Sequence, residues 1–416
     1  VRFVFFFLGL LLLVCLPAQG SNTDAQAPLR VTLTDGATKQ GVPKWKNTRL
    51  DLSGKTPAKV KYTDLAAFED PWPPTAAHRA LLAADYAKRA AKAKSGKAWS
   101  KLGVWARERG LEKEALAAFA RAVKDSPQDA SARAGLGQVK EGPAWQAVDD
   151  VLRARWQALL QRGLAPKGLR REVFKLSRFA AQNGAPRRAL AFLARGLATD
   201  ARSKQGLKQL APLAQRYRHR VKLSFPLYGR WEASDDPTRH HSKQAGAVYA
   251  LDLLAIDADG DHFHGGGRFD LKAHYAYGKP FHAAAPGRVI LARDGYPDLP
   301  IGKLGKIGNT VGIDHGGGEM TWYNHAQPGS IVVKVGQDVK RGQLLGKIGN
   351  SGKSSIPHLH FALTIEGGVI SVPWRVSDYE LWTAEGWVKV TQACPREGWT
   401  MRFKPPAKKS EEGKGD

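Results

Sequence analysis

Hydrophobic and polar positions follow different rhythms along the 416 residues. Residues 1–20 open with a basic Arg2, continue through an apolar run of Phe, Leu and Val, and end in Pro17-Ala18-Gln19-Gly20. A run this short, with a small-residue end, predicts a secretory leader over 1–20 rather than a transmembrane helix. Residues 21–75 keep no period and are rich in Pro, Lys, Thr and Asp, which predicts a linker or extended arm. From about Pro74, Ala, Leu and Arg dominate. Trp99, Gly103, Trp105, Ala115, Phe119 and Ala122 set small residues where helices approach and large ones between them, and Leu176, Phe179, Ala180, Leu190, Leu193 and Gly196 repeat the pattern more weakly. These spacings predict stacked helix pairs over 76–218. Beyond 222 the rhythm changes to short strands between glycine-rich turns, at 289–291, 310–314, 320–323, 331–335, 343–348 and 358–365. The expected fold class is multidomain α + β: a helical N-terminal region, then a mainly antiparallel β-sandwich or half-barrel over 222–375. Residues 376–416 form a C-terminal extension ending in a charged, disordered tail.

The alternation in Pro357-His358-Leu359-His360-Phe361 carries chemistry. Successive strand side chains point to opposite faces, so Leu359 and Phe361 enter a core while His358 and His360 share the other face. The two imidazoles are then roughly 6.5–7 Å apart along the strand, too far for identical roles on one small ion. One suits metal ligation and the other suits work on water activated by the metal. A catalytic zinc site needs three protein ligands, and the best upstream pair is His241 and Asp252. Asp252 lies in the apolar, strand-like stretch Val248-Tyr249-Ala250-Leu251-Asp252-Leu253-Leu254, where a carboxylate is costly to bury unless paired or bound to a cation. The helical motif of two His at i and i+4 with a Glu base is absent, so strands and loops must hold the metal.

In order, His241, Asp252, Trp322-Tyr323-Asn324-His325 and His358-Leu359-His360 resemble the lysostaphin/LytM-type zinc endopeptidases of bacterial cell walls. The resemblance covers roughly 222–375 and passes through Gly278-Lys279-Pro280, Ala285-Pro286-Gly287, Gly308-Asn309-Thr310-Val311, His315-Gly316, Val335-Gly336-Gln337-Asp338-Val339 and Gly342-Gln343. It implies one Zn²⁺ held by His241, Asp252 and His360, with His325 and His358 as catalytic histidines. Many members separate the first His from the Asp by three residues. Here ten lie between them, and His240 competes with His241 as first ligand. The helix pairs of 76–218 resemble tetratricopeptide units.

Other motifs are set aside. Asp257-Ala258-Asp259-Gly260-Asp261 starts like a calcium loop, but its sixth position is His262 and its twelfth Arg268. Gly352-Lys353-Ser354 ends like a phosphate loop, yet the first glycine of that motif would fall on Lys347 and Pro357 follows where a helix should open. The 335–343 stretch resembles lipoyl- and biotinyl-carrier barrels but lacks the displayed hairpin lysine. Cys15 sits inside the apolar run after Val14, a poor setting for a lipid anchor. Loss of the leader would leave Cys394 as the one cysteine, a thiol without an internal partner.

Charge adds partners rather than chemistry. The net charge is +26 with pI about 10.1. For an exported chain this favours anionic envelope polymers, anionic lipid or acidic peptides over nucleic acid, for which no reading motif is present. The reading is an exported periplasmic, envelope or extracellular metalloendopeptidase acting on peptidoglycan peptides, its helical domain available to an envelope protein partner. A non-hydrolytic envelope regulator or scaffold is the alternative.

Overall fold

A computed structural model describes residues 29–33, 38–45, 49–53, 58–61, 65–69, 76–109, 111–214, 217–234, 241–265, 267–376, 379–383, 386–391, 394–395 and 398–403. The leader, Cys15, His240 and the 404–416 tail lie outside them. The chain divides into two compact units. Among described residues, the first takes those up to 220 together with 241–250 and 362–373, and the second takes 221–234, 251–361 and those from 374 onward.

In the first unit, the stretch read as an arm carries five strands: β1 (Leu29–Leu33), β2 (Thr38–Trp45), β3 (Arg49–Ser53), β4 (Ala58–Lys61) and β5 (Leu65–Glu69). They pair antiparallel as β5–β1–β2–β3–β4, a pairing that the composition did not reveal. The helices follow as α1 (Ala76–Ala90), α2 (Gly96–Glu108), α3 (Glu112–Asp125) and α4 (Ala130–Gly135). A hairpin, β6 (Gln138–Glu141) and β7 (Ala144–Ala147), precedes α5 (Val148–Gln161), α6 (Pro166–Gln182), α7 (Pro186–Thr199) and α8 (Lys204–Ala214). Local chemistry sets the helix starts. Ser95 and Asp129 accept the Ala98 and Ala132 amides, and Pro166 and Pro186 open α6 and α7, where a missing N–H costs nothing. Two helix pairs meet through a glycine facing a phenylalanine. A methyl added at Gly103 of α2 would lie 2.6 Å from the Phe119 ring of α3, and Gly196 of α7 stands in the same relation to Phe174 of α6. No helix among the described residues is long and apolar enough to cross a membrane.

The second unit is built on strands β8 (Gly229–Ser234), β9 (Leu251–Ala255), β10 (Pro280–His282), β11 (Gly287–Arg293), β12 (Asn309–Asp314) and β13 (Met320–Ala326). These are followed by β14 (Asp338–Val339), β15 (Leu344–Lys347) and β16 (Leu359–Ile365). β18 (Tyr379–Thr383), β19 (Gly386–Thr391) and β20 (Trp399–Phe403) complete the set, while strand β17 (Ile370–Ser371), which returns on the end of β16, falls in the 362–373 segment of the first unit. The main sheet runs β14-β11-β12-β13-β16-β9-β8-β20-β18-β19, and β10 pairs with β15 separately. Below it Phe281, Tyr323, Phe361 and Trp374 stack in series, with centroids 5.8, 5.2 and 4.7 Å apart. Each fully buried ring contributes roughly 1.5–3 kcal/mol. The Tyr323 hydroxyl accepts the Ala284 amide at 2.8 Å, so its polar tip is satisfied inside the core.

Two expectations change. Residues 331–335 are not a strand: Val332 and Val335 are 60% and 63% exposed, and the segment only touches the sheet, as through Val332 N to Leu345 O. β9 begins at Leu251, because residues 244–250 form turns. Cys394 is buried.

Candidate metal centre

Antiparallel pairing of β9 with β16 sets His360 directly opposite Asp252. The alternation of β16 sends Leu359 and Phe361 into the core while His360 faces the other way, 13% exposed. Its Nδ1 lies 2.9 Å from Asp252 Oδ1, and His358 Nε2 lies 3.2 Å from the same oxygen. His241, 2% exposed at the start of a short 3₁₀ turn, completes a donor set: one atom each from His241, Asp252 and His360 falls within 4.8 Å of the others. His325 and His358 stand beside it with ring centroids 4.7 Å apart, and His325 lies 5.8 Å from His360. His325, His358 and His360 also form a second group within the same 4.8 Å limit. All five residues singled out from the sequence therefore converge.

Electrostatics distinguish them. Burial acts to raise the Asp252 carboxyl, but His358 and His360 outweigh it and hold the group well below the ordinary carboxylate range. Burial, reinforced by His358 and His360, pushes His325 well below 6.5 and keeps its imidazole neutral. For His358, burial is outweighed by the Asp252 carboxylate, and its pKa is raised.

The loop before β16 orients both outer histidines. His325 Nδ1 lies 2.8 Å from Ser351 O and His358 Nδ1 2.7 Å from Ile356 O. With each Nδ1–H donated to a carbonyl, each Nε2 is left facing the centre. Ser354 Oγ, buried, contacts Asn350 Oδ1, Ile356 O and His358 Nδ1. Asn309 is a bracket behind His325: its Nδ2 donates to Tyr296 O and Ala326 O, and its amide donates to Ser351 Oγ. His325 itself has φ 69°, a left-handed conformation that costs a non-glycine residue about 1–3 kcal/mol. Sequence reasoning missed this support. Its one visible signal was the crowding of Asn350, Ser351 and Ser354 just before the paired histidines.

The motifs set aside behave accordingly. Asp257 Oδ1 accepts the amides of Asp259 and Asp261, both at 2.9 Å, and Tyr275 donates to Oδ2. His262 lies 3.6 Å from Glu232, and the His264 ring meets Tyr275.

A buried set of one carboxylate and two imidazoles fits zinc, which takes three N or O protein ligands in catalytic sites. Residues 263–372 match the model of Peptidase family M23, and the β-rich part of the chain carries a domain of this lysostaphin/LytM-type family. The match includes His325, His358 and His360 and starts after His241 and Asp252. Over 90 residues the chain is 39% identical to the peptidoglycan DD-endopeptidase ShyA of Vibrio cholerae, covering 22% of this chain and 18% of that protein. Lysostaphin of Staphylococcus simulans is 33% identical over 99 residues, 24% of this chain and 18% of its own. The murein hydrolase activator EnvC of Escherichia coli is 35% identical over 100 residues, 23% and 21%. The chain thus spans about a fifth of the length of each of these relatives.

Proposed function

We propose that the chain is an exported zinc metalloendopeptidase that hydrolyses amide bonds in peptidoglycan stem peptides or cross-bridges. The observation that carries this reading is the convergence of His241, Asp252 and His360 beside the His325–His358 pair. His241, Asp252 and His360 hold the metal. Bound there, zinc supplies Lewis-acid polarisation of a carbonyl and lowers the pKa of water to about 7. His325, neutral and anchored through Nδ1, accepts a proton at Nε2 from the attacking water. His358, whose environment favours the protonated ring, donates toward the developing oxyanion and the leaving amine.

The similarity to lysostaphin and ShyA supports a peptidoglycan substrate, and the names of these relatives fit an exported chain. The glycine-to-phenylalanine helix pairs support a TPR-like repeat over 76–218 that recruits an envelope partner. That region holds 30 Lys and Arg against 11 Asp and Glu, so 30 − 11 = +19 of the total +26, which suits an anionic envelope polymer.

The test is zinc content of the purified chain alongside digestion of purified peptidoglycan, for wild type and His360→Ala. About one zinc per chain, with released peptides abolished in the variant, supports the enzyme. A second reading, the non-hydrolytic regulator, is favoured by the similarity to EnvC. A zinc-loaded wild type that binds peptidoglycan without cutting it would select that reading.

A further inference from the structure

The ten residues between the first two donors are held by hydrogen bonds from β17 and from the helices. His241 O accepts Gln244 N, Gln244 O accepts Ala247 N and Ala247 O accepts Ala250 N, at 3.2, 2.9 and 2.8 Å, so the segment is one continuous series of turns. Ser371, fully buried on β17, spans it. Its Oγ accepts the Tyr249 amide at 3.0 Å and donates to Ala245 O at 3.0 Å, while its own amide donates to Ala245 O at 2.9 Å. The same two residues reach the helices. Ala245 N donates to Ala201 O, between α7 and α8, at 3.0 Å, and Tyr249 OH donates to Ala211 O at 3.4 Å. Ala211 lies in the last turn of α8, where carbonyls have no intrahelical partner. Ala245 is itself fully buried, so its amide needs an acceptor. Each bond therefore satisfies a group that would otherwise be orphaned, and each bears on the chain four residues after His241 or three before Asp252.

We propose that Ser371 is a positioning residue for the metal centre and that the α7–α8 turn with the end of α8 anchors the His241 segment, so that the helices help set how tightly the chain holds zinc. This rests on the zinc endopeptidase reading. Ser371 touches neither metal nor substrate. It fixes the backbone from which His241 projects, and looser outer support of metal ligands lowers affinity by about 10–100-fold.

The test measures zinc dissociation from the full chain by competition with a chromophoric chelator, together with the visible spectrum of the cobalt(II)-loaded protein. Ser371→Ala is expected to weaken zinc about 10-fold and to shift the cobalt bands, a response that global destabilisation does not give in the folded fraction. Ser371→Thr, which keeps the hydroxyl, is expected to restore both. Tyr249→Phe, which removes the long bond to α8 and keeps the ring and the backbone amide, is expected to weaken zinc about 2–3-fold, a smaller loss than that of Ser371→Ala. It carries the test should Ser371→Ala fail to fold. Wild-type zinc affinity and an unchanged cobalt spectrum in the folded variants would overturn the positioning role while leaving the endopeptidase reading intact. A wild-type chain that takes up no zinc would overturn both.

Discussion

Buried polarity separates the helices from the sheet that carries the candidate centre. Among the described residues of 76–214, the buried polar or charged side chains are Ser100, Arg109 and Ser177. Each has a local use: Ser177 donates to Ala189 O, Ser100 to Asp129, and Arg109 donates to Trp105 O while lying over the Trp105 ring. The β-rich part buries Asp252, Asn309, Asn350, Ser351, Ser354 and His358, which together form the centre and its support. An unsatisfied polar group in such surroundings costs about 1–3 kcal/mol. Where one region sends its charge outward and another gathers polar groups inside, the second is where chemistry is expected.

The sharpest way to break this division is to remove one of the groups proposed to handle protons. His325→Ala is expected to lower peptidoglycan hydrolysis by about 10²–10⁴-fold while zinc content by elemental analysis stays near one per chain. Loss of the metal instead would make His325 part of the metal's support. Next in size, Phe119→Ala, which empties the α2–α3 contact, should destabilise the helices by about 3–5 kcal/mol in urea unfolding. Zinc affinity of the folded fraction should not move, because Phe119 lies outside the α7–α8 anchor. Asn309→Ala removes the side-chain donor to the Tyr296 carbonyl, while the Ala326 carbonyl keeps Ser351 Oγ at 2.8 Å. About 1–3 kcal/mol of lost stability is expected for the acceptor left unsatisfied, with activity falling more than helix content, read by parallel digestion and circular dichroism.

The smallest effect belongs to the exposed Arg188–Asp149 pair, 2.9 Å apart. Its hydrogen bond from Arg188 lowers the Asp149 carboxyl below 3.8, so the contribution is present above that value and is lost as pH falls through the folded-state pKa. Arg188→Ala should cost about 0.2–1 kcal/mol at neutral pH and progressively less in acid, as thermal unfolding across a pH series would show.

Much of the centre was legible because strand alternation is strict. Leu359 and Phe361 could face the core only if His360 turned away from it, and an aspartate amid Leu251, Leu253 and Leu254 called for a cation. The clasp of Ser371 was not legible: a serine bonded to residues 122 and 126 positions away leaves no period in the sequence. Residues 331–335 misled for a related reason. Their β-branched composition suits a strand, but Val332 and Val335 are exposed rather than packed on a sheet face, and the segment meets β15 through the Val332 amide without forming a strand. The 29–69 strands were hidden in the opposite way, their pairing not announced by composition.

The left-handed backbone at His325 sets stability against chemistry within one residue. Glycine adopts that conformation without penalty, so a single replacement there would relax the backbone of β13 and remove the proposed base together. On the proposed reading, a copy freed from selection for hydrolysis would meet no backbone penalty at that position and could keep its sheet and its metal donors. On that reading, the distance between a hydrolase and a non-hydrolytic binder on this scaffold is one residue, in the direction that the backbone at His325 favours.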